Sequence, residues 1–219
     1  MQDEMTRQQK ERSIWDRLSG SYDRNTLRAY RDAYDLSIQK TLALVQPDQQ
    51  VLDIGCGTGI LSLGIAPHVK RVMGVDISPQ MVAVAQGKAA AQGVSNVDFK
   101  EMDGYTIPFA SESFDHVLLF NILHVVKEPS RLLKEARRLL KPAGSLISAT
   151  DCYAEPVPLG VGIKLTLQRL MKVFGMVAYL RYYHKQDLHH LLARNAFVIA
   201  DTAVLHPAPV NYYIMAYKA

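Results

Sequence analysis

Three glycines occupy five positions, Gly55, Gly57 and Gly59 of VLDIGCGTGI, directly behind an apolar run that carries Asp53. Glycine loses more backbone entropy on ordering than any other residue, so the cluster marks a loop that must pass very close to something. Asp76 closes the next apolar run, about 20 residues beyond the loop, the usual place for an acid that accepts from ribose hydroxyls. A carboxylate has lone pairs for both hydroxyls of a cis-diol. A helix start behind the loop adds unpaired N–H groups and partial positive charge, which favours an anionic ligand group nearby. Together these residues imply a ribonucleoside-containing ligand. The glycines read GxGxG, with Ile60 where a dinucleotide loop has its third glycine, and no lysine follows as a phosphate loop requires. No tyrosine is followed four positions later by a lysine, which removes the usual pair of short-chain dehydrogenases.

A second group lies in FNILHVV, where His124 follows Asn121 by three residues. An imidazole accepts a proton near neutral pH without a large shift, so His124 is the candidate general base. The competing reading is a loop histidine that only packs. No HExxH or other metal spacing occurs, and no metal is expected.

The elements that must position these groups alternate from residue 50 onward. Strand candidates are QVLDI, RVMGVDI, VDFKEM, FDHVLLF and GSLISAT, separated by helical runs. Ser78 and Pro79 suit the start of the second of these helices, and the third should stop at Lys141 before Pro142 and Gly144. Alternation of this kind predicts an α/β fold with a mostly parallel sheet covered by helices on both faces. The helix KQDLHHLLARN should end at Asn195 in a left-handed conformation. AFVIADTAVL and NYYIMAYKA, close in sequence, should pair antiparallel.

The chain has 219 residues, 48% hydrophobic and 21% charged, with a formal charge of +4, which suits one domain with a full core. No dense Lys/Arg run occurs, so nucleic acid is not an expected partner. Cys56 and Cys152 are the only cysteines, which disfavours a disulfide framework. The charged start, MQDEMTRQQKERS, lacks a signal-peptide core, and no apolar run reaches a membrane span. A cytoplasmic protein is expected, as monomer or homodimer.

VLDIGCGTGILS followed by VMGVDISPQMV resembles the first two motifs of class I S-adenosylmethionine-dependent methyltransferases. The likeness continues through FKEMDGYTIPFASESFDHVLLFNILHVV and LLKPAGSLISAT, over roughly residues 48 to 150. Its flavour is that of the small-molecule branch, which includes the ubiquinone and menaquinone methyltransferases. The resemblance implies a Rossmann-like, seven-stranded sheet with its last strand antiparallel. It also implies S-adenosylmethionine as cofactor. Gly55, Cys56 and Gly57 would approach the methionine part, Asp53 would order the loop, and Asp76 would hold the ribose. Ile77, Met81 and Met102 would wall the adenine, with Asp103 accepting from its amino group and Gly104 N–H meeting a ring nitrogen. Asn121 would line the methyl-donor end, and Tyr22 would close over the cofactor.

On this reading, a single methyltransferase domain spans 1–219. It has a helical cap at 1–48, a cofactor-binding core at 49–150, a helical insertion at 151–185, and a C-terminal helix with a strand pair at 186–219. No prolines stand beside Asn121, unlike the Asn/Asp-Pro-Pro-aromatic motif of the methyltransferases that act on amino groups of nucleic acids and proteins. The expected partner is therefore a small organic acceptor, in a hydrophobic pocket roofed by Leu165, Leu167, Leu170, Phe174 and Tyr179; the other readings of this stretch are a helix completing the core or a dimer contact. The basic residues Lys164, Arg169 and Lys172 of the same stretch allow peripheral membrane contact. The alternatives are an RNA- or protein-directed enzyme, or a protein that binds the cofactor without turnover.

Overall fold

The computed structural model describes residues 2–160 and 179–219, with side chains from Gln8 onward. The insertion residues 161–178, and the acceptor roof expected there, lie outside the described residues.

A long helix, α1 (Gln2–Leu42), precedes the alternating core. Then follow β1 (Gln50–Ile54), α2 (Ile60–Ile65), β2 (Arg71–Asp76), α3 (Pro79–Gln92), β3 (Val97–Glu101) and β4 (Phe114–Phe120). The chain continues as α4 (Pro129–Leu139), β5 (Leu140–Cys152), α5 (Lys185–Arg194), β6 (Phe197–Pro207) and β7 (Val210–Lys218). The sheet order is β3-β2-β1-β4-β5-β7-β6. The first five strands pair parallel, and β7 runs antiparallel between β5 and β6. Strand order reverses between β1 and β4, which opens a crevice beyond their carboxyl ends.

The central strands are apolar on both faces because helices cover both. Leu52, Ile54, Val75, Leu132 and Leu139 fill one side, while Val51, Ile65, Val72, Phe99 and Tyr213 fill the other. The α3 start matches its sequence signal: Ser78 Oγ accepts from Met81 N–H at 3.1 Å, with Pro79 in the first turn.

Two boundaries differ from expectation. Helix α4 ends at Leu139, and β5 begins ahead of Pro142, because proline disfavours a helical conformation in the residue before it. Leu140 is already extended, with φ −71° and ψ 134°. Asn195 is not left-handed (φ −102°); Ala196 takes that conformation instead, at φ 58°. The Asn195 amide is engaged elsewhere, donating to Leu191 O at 2.8 Å and Ser130 Oγ at 3.2 Å.

Helix α1, kinked at Tyr30 (φ −136°, ψ 21°), lies across α2 and α3 and closes the crevice. Polar contacts hold it there. Asp16 Oδ1 accepts from Ser78 Oγ at 2.5 Å, and Asp23 accepts from Thr58 Oγ1 and from Lys88 Nζ. Arg12 meets Glu101 at 3.0 Å. Among the described residues, no helix is long and apolar enough to cross a membrane, and no cluster of three His, Cys, Asp or Glu could hold a metal.

Candidate active site

The glycine loop turns on positive φ at Gly55 (74°), Gly57 (53°) and Gly59 (78°), a region that other L-residues enter only with strain. Gly55 N–H and Cys56 N–H both donate to Val75 O, at 2.8 and 3.1 Å. Gly57 N–H donates to Asp76 Oδ2 at 2.9 Å, and Ser78 N–H donates to Asp76 Oδ1 at 2.9 Å. Loop and acid therefore form one unit, fixed across the β1–β2 boundary. Burial raises the Asp76 pKa above the ordinary carboxylate range, against the lowering effect of the Ser78, Gly57 and Ile77 N–H groups. Beneath the loop, Asp53 is buried and accepts from Ser62 Oγ at 2.6 Å, tying β1 to α2. Loss of hydration pushes its carboxyl up to about 7, and Ser62 opposes this.

Three adjoining hollows follow the crevice under α1. The first, about 50 Å³, is lined by Ile77, Met102, Asp103 and Gly104. The second, about 80 Å³, shares Glu11, Gly55, Asp76, Ile122 and Val126 with the first and adds Gly57 and Met81. The third, about 120 Å³, shares Trp15, Tyr22, Phe120, Asn121 and Val125 with the second and reaches His124, Asp151 and Asn211.

In this third hollow a polar network joins β4, β5 and β7. Asn211 Nδ2 donates to Asn121 Oδ1 at 2.8 Å and to Asp151 Oδ1 at 2.7 Å. Tyr153 Oη donates to Asp151 Oδ2 at 2.9 Å, and Asn121 Nδ2 donates to Tyr34 Oη at 3.3 Å. Asn121 is held at φ 55°, an uncommon conformation of the kind that collects at functional sites. His124 is buried, and its Nδ1 has no hydrogen-bond partner. Burial lowers the His124 pKa below 6.5, with Asp151 pulling the other way. The resulting neutral imidazole is a ready proton acceptor.

Of the residues singled out in the sequence, Tyr22, Gly55, Gly57, Asp76, Ile77, Met81, Met102, Asp103, Gly104, Asn121 and His124 line these hollows. Asp53 stands behind the loop as a support. The Cys56 side chain belongs to the core, its sulfur packed toward Gly74, so only its backbone belongs to the loop surface. Asp103 Oδ2 accepts from Gln8 Nε2 at 2.6 Å, which brings the amino-terminal part of α1 onto the first hollow. Sequence reasoning missed Glu11, Trp15, Asp151 and Asn211. For Glu11 and Trp15 a signal existed: with Tyr22 they recur at helical spacing, four and seven residues apart, on one face of α1.

A methyltransferase-domain family model matches residues 52–148. The chain is 32% identical over 115 residues to the methyltransferase YcgJ of Bacillus subtilis, covering 49% of this chain and 46% of that protein. It is 28% identical over 168 residues to a ubiquinone biosynthesis O-methyltransferase of Coxiella burnetii, covering 74% of this chain and 69% of that one. The chain thus spans about half to two thirds of the length of these curated relatives. The magnesium protoporphyrin IX methyltransferase of Synechocystis, solved with bound SAH, shares the fold at a TM-score of 0.71 and 22% identity. That match covers 96% of this chain and 100% of the other. A sheet with its switch point at the glycine loop, an acid at the end of β2 and these likenesses agree: the chain carries a methyltransferase domain over residues 52–148 and is similar to the class I S-adenosylmethionine-dependent methyltransferases.

Proposed function

We propose that the protein transfers a methyl group from S-adenosylmethionine to a small organic acceptor held in the third hollow. The observation that carries this reading is adjacency: Asp76 lines the second hollow and His124 the third, and the two hollows share Trp15, Tyr22, Phe120, Asn121 and Val125 as walls. The third hollow, about 120 Å³, is below the roughly 150 Å³ of a cavity that admits benzene, a scale suited to a small acceptor or the reacting end of one. The relatives' names, a ubiquinone biosynthesis O-methyltransferase and a magnesium protoporphyrin IX methyltransferase, likewise point to organic acceptors.

The residues present fit the cofactor. A Cβ on Gly57 would meet only Tyr22 Cε1, at 4.0 Å, so the loop leaves space on that side. Asp76, already oriented by Gly57 and Ser78, would accept from the ribose diol. Asp103 and Gly104 would meet the adenine edge once the Gln8 amide moves off Asp103, with Ile77, Met81 and Met102 as walls. The Gly55 carbonyl would take the methionine ammonium, Tyr22 would close over the site, and Asn121 would line its donor end. When bound, the cofactor supplies a methyl carbon activated by positive sulfur. The protein's work is alignment, worth on the order of 7–11 kcal/mol when reacting atoms are held in a near-attack geometry. His124 Nδ1 would receive a proton where the acceptor must shed one.

Calorimetric titration with S-adenosylmethionine and its demethylated product tests the binding half of the reading. Release of the demethylated product with small acceptors, against RNA and protein acceptors, tests the rest. Retention of both ligands and turnover with small molecules are expected. No retention at millimolar concentration overturns the reading.

A further inference from the structure

The third hollow contains an acid that alignment of a methyl donor does not require. Asp151, at the end of β5, is only 9% exposed. Its oxygens accept from two neutral donors, the Asn211 amide and the Tyr153 hydroxyl. Among the described residues it forms no ion pair with Lys or Arg. Buried carboxylates are ordinarily paired with a cation, so this arrangement is poised for one from outside the chain. The walls suit a cation as well. Trp15, Tyr22, Tyr30, Tyr34 and Phe120 border the same hollow, and aromatic faces attract positive charge. An anionic acceptor would meet the Asp151 charge at low dielectric, where like charges repel strongly.

Building on the methyltransferase reading, we propose that the acceptor is an amine. Its ammonium sits against Asp151 inside the aromatic walls, and His124 Nδ1 removes the proton that frees the nitrogen lone pair. The proton moves from the ammonium nitrogen to Nδ1. The lone pair then forms the N–C bond as the C–S bond breaks, and that bonding pair stays on sulfur as the neutral thioether. The product leaves as an N-methylammonium, still matched to Asp151 until release, and His124 returns its proton to solvent. Asp151 is thus a binding residue for the acceptor and His124 the proton acceptor.

The test is selectivity among matched probes. Propylamine and benzylamine, with the corresponding alcohols and carboxylates, are titrated calorimetrically into the protein with and without saturating demethylated cofactor. Each amine should bind at least about tenfold more tightly than its alcohol, a difference of about 1.4 kcal/mol, and the carboxylates should not bind measurably. In Asp151→Asn the amine should fall to within about twofold of the alcohol, a difference of about 0.4 kcal/mol, with affinity for the demethylated cofactor unchanged. Equal binding of amine and alcohol, preference for the carboxylate, or no amine binding at tens of millimolar overturns the proposal. So does an Asp151→Asn loss confined to S-adenosylmethionine and absent for the neutral thioether, which would assign the acid to the sulfonium. The wild-type comparison decides the matter even if the variant does not fold. Failure of the methyltransferase reading shows separately, as no retention of either form of the cofactor.

Discussion

Gly57 and Asp76, nineteen residues apart, are joined by a 2.9 Å hydrogen bond from the glycine N–H to carboxylate Oδ2. The acid at the end of β2 therefore holds the glycine loop at the end of β1 in addition to facing the second hollow. On the proposed reading, one residue serves both the shape of the loop and the recognition of the ligand.

Replacing Asp76 with Ala should weaken S-adenosylmethionine binding by about 1–3 kcal/mol, since charge-assisted hydrogen bonds are lost. Asp76→Asn, which keeps one oxygen acceptor, should lose less. Calorimetry on both variants reads the difference, and affinity unchanged in Asp76→Ala would remove the ribose assignment.

Gly57→Ala places a Cβ in the space facing Tyr22, where the nearest atom is 4.0 Å away, so no core contact is broken. The strain is conformational, at φ 53°, and should cost about 1–2 kcal/mol of stability. Cofactor affinity should fall alongside it because the methyl group intrudes on the ligand side. Thermal unfolding with and without ligand separates the two effects: the ligand-induced rise in Tm should shrink by more than the unliganded Tm falls.

Asp53 couples stability to pH. Its carboxyl is raised by burial from 3.8 to about 7, so between those values the folded chain keeps a proton that the unfolded chain has released. Stability contributed at this site is complete below about pH 4, declines as pH rises, and levels off above about pH 7, a loss of up to about 4 kcal/mol. Asp53→Asn retains an acceptor for Ser62 and carries no charge. Its stability relative to wild type should therefore improve from pH 5 to about pH 7 and level off above that in denaturant titrations. A constant difference across that range would contradict the shift.

His124→Gln should lower turnover by about 10²–10⁴-fold while leaving cofactor affinity unchanged, the signature of a lost proton acceptor. Because burial lowers the imidazole pKa, the acidic limb of the wild-type kcat profile should lie below pH 6.5. Full turnover in the variant on its true substrate would reduce His124 to a packing residue.

The cofactor half of the site was legible in the sequence because its grammar is local. A strand, a glycine turn and a helix cap lie within a few residues of one another, Asp76 ends a run recognisable as a strand, and Asp103 follows another by two residues. The Ser78 cap follows from residue type, and glycine at 55 and 57 permits the positive φ found there. Asp151 and Asn211 carried no such signal: sixty residues separate them, and only the antiparallel pairing of β5 with β7 sets Asp151 opposite Asn211. Glu11 and Trp15 did share a helical spacing with Tyr22, but only the fold of α1 over the crevice brought them to the site. Ala196, not Asn195, turned left-handed, and the Asn195 amide instead donates to Ser130 Oγ, a tertiary contact no local signal announced. Sequence by itself determined the strand-and-helix order and the residues that line the first two hollows, proposed to face the nucleoside, since backbone preference and hydrophobic period act over short range. The acceptor chamber was decided only by the tertiary structure, because its walls come from α1, β4, β5 and β7, and only packing brings such distant segments together.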